Sequence, residues 1–591
     1  MTRHHGTVAA AVWSALGIAV GGLGPAVLAA QDTVIVIHPE SATVAEAREL
    51  PRTVAEQAVS FFNAPTTTRL VGRTRVPAGN AWQGDVGVRN GAVTLAGQIK
   101  GSLLVINGDA SLEATAEVTG DVTVIGGALA SAPGARVSGR VAVYREPLRY
   151  RTDGEQIALA PNPRTLLPFL GAKKTWAGAQ ARSTLTLATG GTFNRVEGLP
   201  IVFGPESEWQ LASGPQLRVD ALGIARSVGS VGGEPGDLGY LVRVELRSTS
   251  RDAPALGLRL GGHSVVAPIE DWGLRSAEVG WAAFLFQRDY RDYYLAQGVQ
   301  GGVYVQPASP LTLSLDLGHD WEASVSARDP WSVLRQGSGW RGNPPIDAGH
   351  YTTLTATASL DTRNDRAQPT VGWFVTTRFA DGWSSDVSPQ LLPAGVRRPI
   401  PTDGSYQFGR LTLDARRYTR ISSTGRVNLR LFAAGWLGGD PLPLQERLSL
   451  GGADPLPGYG FRQSACNSDL TAAAFTSASV AACDRVIVTQ IEYRGHLSLH
   501  WSYRTSHPED ELAKSLFTLL GPDLVVFGDG GQAWLVGPGP GRLPSDRLPA
   551  VGSWIGDLGL GIDWSGFGFY VAKAITAGEP VRFTVRLDHR F

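Results

Sequence analysis

Chemistry would need a nucleophile beside a base, a cluster of metal ligands or a phosphate cradle, and the chain offers few places to look. His263 adjoins Ser264, and His507 lies close to Glu509 and Asp510. Neighbours on a strand point to opposite faces, so His263 and Ser264 would not meet, and neither group has the spacing of a nucleophile elbow or a metal motif. The glycine-rich stretch Gly528–Gly531 lacks the Lys-Ser/Thr that completes a phosphate loop and reads as a strand end. No catalytic residue, cofactor or metal ligand is therefore assigned. The two cysteines, Cys466 and Cys483, sit in an Ala/Ser-rich stretch whose nearby acids are Asp469 and Asp484, too few for a metal site. A loop disulfide is expected of them in an exported chain, with two free thiols as the other reading.

Export is expected from the N-terminus. Arg3 precedes an apolar run that ends in Ala29 and Ala30 before Gln31, the pattern of a secretory signal over residues 1–30. Gly21, Gly22, Gly24 and Pro25 weigh against a retained membrane helix. No later stretch reaches the roughly 18 consecutive apolar residues that a spanning helix needs. With 53 basic against 53 acidic residues there is no basic field for nucleic acid, and that function class drops out. The 73 glycines and 37 prolines favour short strands joined by turns.

The elements fall into two regimes. From Gly84 the chain repeats: Gly84, Gly101, Gly120 and Gly139 open successive units, and turns at Asn90-Gly91, Asn107-Gly108 and Gly126-Gly127 follow each of the first three. Turn residues at a fixed period between runs of Val, Ile and Leu predict rungs of a stacked β-solenoid over residues 76–146. Ahead of it, residues 31–75 include a weakly amphipathic helical stretch from Ser41 to Pro65, broken at Pro51. A linker (147–164) leads to residues 165–591, where alternation dominates. Leu311, Leu313, Leu315 and Leu317 oppose Thr312, Ser314 and Asp316, and Val581, Phe583, Val585, Leu587 and Phe591 oppose Arg582, Thr584, Arg586 and Asp588. An exported chain whose strands continue without a domain break to its last residue fits a closed barrel in lipid, and strands of about 10 residues with their turns and loops give roughly 16 of them. The fold class expected is all-β.

Several strings occur in the order of a known family. LGGADPLPGYGF, Leu450 to Phe461, resembles the sixth-loop motif of the Omp85 superfamily (surface antigen D15 type), the outer-membrane barrels that include assembly factors and two-partner secretion pores. Its matching positions are Gly451, Gly452, Leu456, Pro457, Gly458 and Tyr459. FGDGGQAW carries the companion Phe-x-Asp-x-Gly at Phe527, Asp529 and Gly531. FNRVEGLP (Phe193–Pro200) looks like an early barrel strand, LDTRNDRAQPTVGW (Leu360–Trp373) like a mid-barrel strand and turn, and IEYR (Ile491–Arg494) and the last strand complete the series. The repeats at 76–146 are similar to the polymer-forming, bactofilin-like β-helices.

The resemblance implies that a loop arginine folds into the lumen and pairs with the acid of the companion strand. Pro457 stands at that arginine's position, and Arg462 is the candidate substitute for reaching Asp529. It also implies a C-terminal recognition strand whose lipid face is Phe583, Val585, Leu587 and Phe591. The family's POTRA domains are not visible in residues 31–164, which puts the handling of client chains in doubt. Two functions stand open. One is insertion or translocation of unfolded outer-membrane or secreted proteins, or gated conduction. The other is a structural envelope protein whose barrel, set in outer-membrane lipid, anchors a periplasmic solenoid that binds a partner.

Overall fold

The computed structural model describes residue 50 and most of 52–591; the longer stretches outside it are 1–49, 160–170, 229–237, 249–254, 467–479 and 498–521, with others of one to five residues. The signal region and the pair His507/Glu509 thus lie outside the described residues.

The N-terminal part differs from the rest in pairing its strands in parallel. Helix α1 (Arg52–Asn63) lies on a solenoid whose three parallel sheets repeat rung by rung, the first holding Thr68–Val71, Val86–Arg89, Leu103–Ile106, Val122–Ile125 and Val141–Tyr144. The stack begins at Thr68, one rung before the first repeat visible in the sequence, because that rung does not open on the repeating glycine. The turns repeat with it. Asn90 and Asn107 hold left-handed backbone (φ 54° and 52°), and a Cβ on Gly108 would stand 2.1 Å from the Gly91 carbonyl oxygen, so only glycine lets the rungs stack at this corner. Val88, Leu95, Ile99, Val105, Val118 and Val124 fill the interior. Phe62 of α1 packs outside the stack with Leu104, Ile106 and Ile125.

A single antiparallel sheet follows. Its strands are β1 (Gly171–Ala177), β2 (Ala181–Thr189), β3 (Pro200–Gln210), β4 (Gln216–Arg226), β5 (Leu238–Arg247), β6 (Ala255–Pro268), β7 (Tyr293–Ala308), β8 (Leu311–Ser324) and β9 (Gly349–Asp361). They continue as β10 (Gly372–Ser384), β11 (Tyr406–Arg420), β12 (Gly425–Gly439), β13 (Arg485–His496), β14 (Asp523–Val536), β15 (Ile555–Trp564), β16 (Phe567–Ala574) and β17 (Arg582–Arg586). Each pairs antiparallel with the next, and a two-residue strand, Arg542–Leu543, adds to β14 in parallel. The sheet has 17 strands where roughly 16 were expected.

Alternation sets the two faces. In β8, Leu313, Leu315 and Leu317 are exposed, and in β13 exposed Ile491 and Tyr493 alternate with buried Gln490, Glu492 and Arg494. The sheet is apolar outside and charged inside, the order a barrel in lipid requires. Tight turns at 309–310, 421–424 and 565–566 lie at one end, and the long connections 269–292, 325–348, 385–405 and 440–484 at the other. The first long connection carries helix α2 (Ser276–Phe286). Among the described residues no helix is long and apolar enough to cross a membrane.

Three expectations are corrected. Of Phe193–Pro200 only Pro200 is in a strand, as the start of β3; the rest is a turn bridged by Asn194 and Gly198, because Asn194, Arg195 and Glu197 are all drawn into buried polar contacts. The last strand stops at Arg586 instead of running to Phe591. Leu587 is only partly exposed and Phe591 is buried, so of the four positions assigned to the lipid face only Phe583 and Val585 are exposed on it. The cause is charge: Asp588, His589 and Arg590 have partners inside the barrel.

Candidate functional site

The connection 440–484 is pinned at its base before it enters the lumen. Leu448 pairs with Cys483 and Leu450 with Ser464 in antiparallel bridges, and Cys466 and Cys483 form a disulfide. Gly451 and Gly452 take φ of 111° and 114°, which lets the chain reverse toward the interior. The tip then packs on β15 and β16. Leu456 and Tyr459 are buried, the Gly458 amide donates to Asp557 Oδ2 at 2.6 Å, and the Tyr459 hydroxyl donates to the Gly556 carbonyl at 3.0 Å. A Cβ on Gly458 would lie 2.7 Å from the Ala574 nitrogen, so the motif glycine is required by close approach. Pro457 is buried in the same tip.

Arg462 does not reach Asp529. Its guanidinium pairs with Glu270 at 2.8 Å and with Asp292, on the wall where β6 ends and β7 begins. Asp292 also meets Arg195 at 2.6 Å and Arg341 at 2.7 Å. Burial alone would raise the Asp292 carboxyl, but the guanidiniums of Arg462, Arg341 and Arg195 outweigh it and hold it well below its ordinary value of 3.8. Three loops are thereby tied to the connection that carries α2.

Asp529 finds a different arginine. Arg590, next to last in the chain, pairs with Asp529, lies 3.5 Å from Glu492 and sets its guanidinium 3.7 Å over the Phe527 ring. Glu492 is shared with Arg494 at 2.7 Å, and Arg494 lies 3.3 Å from Asp563 and 3.1 Å from His589. Upstream, Arg586 donates to Glu278 of α2 at 2.6 Å, and Asp588 pairs with Arg275 at 2.9 Å. Gly531, the third companion-motif residue, sits in β14, where a Cβ would stand 2.5 Å from the Ile487 carbonyl oxygen. The loop tip and the C-terminal tail touch inward-facing residues of β13 to β16, and α2 meets the inward-facing Arg586, so all three occupy the lumen.

Residue types and positions here favour ion pairing over catalysis. His263 pairs with Asp320 at 3.0 Å across β7, and Gly528–Gly531 lies within β14. Among the described residues no group of three or more His, Cys, Asp or Glu could hold a metal. Sequence reasoning missed Arg590 and Asp292. The available signal for Arg590 was the failure of alternation at Asp588-His589-Arg590, three polar residues in a row.

Comparison with known proteins agrees with the wall and its loop. The Omp85 superfamily domain matches residues 287–502. That segment is an Omp85 superfamily domain. The match spans β7 to β13 of the antiparallel barrel sheet, which a β-solenoid precedes. The chain is also similar to BamA from Haemophilus ducreyi lacking POTRA domains 1–3, at 11% identity over 71% of this chain and 74% of that one (TM-score 0.38). CdiB from Acinetobacter baumannii matches at 10% over 70% and 61% (TM-score 0.29), and CdiB from Escherichia coli at 13% over 71% and 67% (TM-score 0.31). No curated protein matches.

Proposed function

We propose that this Omp85-type barrel handles polypeptide at the outer membrane, in insertion or translocation, with its solenoid on the periplasmic side. The observation that supports polypeptide handling over open conduction is the lumen itself. Loop 440–484, α2 and the C-terminal tail enter it together and are held by buried ion pairs. A free solute path would have to break several of these, whereas an exchange of strands at the barrel wall would not. The solenoid's placement rests on Arg420, which ends β11 beside the tight turn 421–424 and donates to the Asn107 carbonyl of the solenoid at 3.0 Å. Tight turns mark the periplasmic end of such barrels.

The same contact favours a second reading, in which the barrel anchors a solenoid that binds a periplasmic partner. Depletion separates the two. Loss of other barrels from the outer membrane supports polypeptide handling, and unchanged levels support the anchor. Under either reading the protein should fractionate with the outer membrane and migrate differently when heated, because a closed hydrogen-bonded barrel resists detergent. Recovery as a soluble periplasmic protein would defeat both.

A further inference from the structure

The outer wall of β8 to β11 changes character in steps that the ladder register lines up. One row across the four strands, made of Leu315, Ala356, Phe379 and Leu411, is apolar. The next row toward the long connections reads Leu317, Leu354, Asp381 and Gly409, continued by Gly438 of β12. The row after that is His319, Thr352, Trp383 and Gln407. Exposed Leu315, Leu317, Phe379 and Trp383 put all three rows on the lipid side. Trp373 is exposed at the other end of β10. The ten residues from it to Trp383, at about 3.3 Å each and a tilt of about 40°, make a height of about 25 Å, that of a barrel's apolar band. The third row therefore lies at headgroup level, and at the end away from the tight turns, which is the outer leaflet.

A depression opens at that boundary. Asp381 faces out beside Gly409 and Gly438, and the ladder slips there so that exposed Leu437 is left outside the pairing. Packing requires neither glycine. A Cβ on Gly438 would meet nothing within 4 Å, and one on Gly409 only atoms at 3.7 Å or beyond; neither has left-handed backbone. Glycine inside a strand weakens it and often marks a place where a ligand approaches closely. Two open clefts, of about 480 and 510 Å³, meet at Ser405 and Gln407. Asp381 is held by the neutral Gln407 side-chain amide at 3.0 Å, and Asp440 accepts from the Gln407 backbone amide at 3.0 Å. Both carboxylates thereby keep lone pairs for further donors.

We propose that this groove binds an outer-leaflet lipid with a sugar headgroup. The sugar's hydroxyls donate to Asp381 and Asp440, its C–H face packs on the exposed Trp383 ring, and an acyl chain runs down the wall between Phe379 and Leu437, which line the first cleft. The acceptors decide among headgroups. Two carboxylates repel a phosphate. A lone ammonium has three donors, too few for acceptors spread from Asp440 to Thr352 across both clefts, whereas a sugar carries a hydroxyl on most of its carbons. The inference stands apart from polypeptide handling, since both readings above set this wall in lipid.

The full chain, in phosphatidylcholine vesicles, is offered a diglucosyl diacylglycerol that carries a photo-reactive group on one acyl chain. Cross-links are expected at Phe379 and Leu437. Unlabelled diglucosyl diacylglycerol should compete for them, and phosphatidylethanolamine, phosphatidylglycerol and free maltose at the same concentration should not. Asp381→Leu, which suits its row to hydrocarbon, and Gly438→Leu, which fills the depression, should each lower cross-linking at least fivefold, with heat-modifiable migration showing that the barrel is intact. Equal cross-linking in the parent and in either intact variant would overturn the proposal, as would cross-links confined to other strands. Competition by phosphatidylethanolamine would make this a site for an ammonium, by phosphatidylglycerol a site for a phosphate, and by free maltose a site for soluble sugar; each of the three would also overturn it.

Discussion

The solenoid and the barrel are built from the same period-two strands and turn them opposite ways. In the solenoid the apolar residues Val88, Val105 and Val124 stack inward, and water meets the outside except where α1 covers Leu104, Ile106 and Ile125. In the barrel Leu315, Ile491 and Phe583 face outward, and the interior holds Asp529, Glu492, Arg494 and Arg586, all nearly sealed from solvent. Solvent explains the inversion. Water outside favours an apolar core, whereas hydrocarbon outside leaves the interior as the only place where charges can find partners. The two regions should therefore answer in opposite ways to the same kind of substitution.

The largest effect is expected from Val105→Asp, an unpaired charge in the solenoid core, at about 4 kcal/mol or more. Proteolysis should then degrade residues 68–144 while heat-modifiable migration of the barrel persists; loss of both would show that the barrel depends on the solenoid. Arg590→Ala comes next. It leaves Asp529 and Glu492 buried without that partner, at a cost of about 3–5 kcal/mol, read as a lower temperature for the heat-induced shift, with the solenoid's protease resistance unchanged. Val585→Arg places a charge on the lipid face and should cost about 2–4 kcal/mol, reducing accumulation in the outer membrane.

Acid should act on the luminal network more than on the solenoid. Because the Asp292 carboxyl is held below its ordinary value of 3.8, the stability it contributes is complete above that value and is lost as pH falls through the depressed one. The temperature of the heat shift should fall below about pH 4; a flat profile would mean that Asp292 does not tie the loops together. The smallest effect is assigned to Thr584→Ser, on the face opposite Val585, within about 0.5 kcal/mol. Equal accumulation of Val585→Arg and Thr584→Ser would reverse the assigned face of β17.

Much of this inversion could be read in advance, since alternation depends on neighbours two residues apart. The repeating turns at Asn90 and Asn107 and the sheet built on Leu311–Leu317 follow from local pattern, and the Cys466–Cys483 link from the export expected of the chain. Glu492 and Arg494 were in view as part of IEYR, yet nothing local says which charges they meet. The turn at Phe193–Pro200 was misread for the same reason: its strand-like look yields to Arg195, whose partners Asp289 and Asp292 lie nearly 100 residues away.

Sequence by itself determined the strands, their two faces, the stacked rungs and the order of the family's motifs, because each depends on spacing along the chain. Tertiary structure decided which cation answers Asp529. Arg462 stands near the family's loop position but turns to Glu270 and Asp292, while Arg590, on a tail that leaves the wall after Arg586, reaches the acid. A buried charge takes whichever partner the closed wall brings within reach, and that reach runs across a lumen that exists only once the strands have assembled around it.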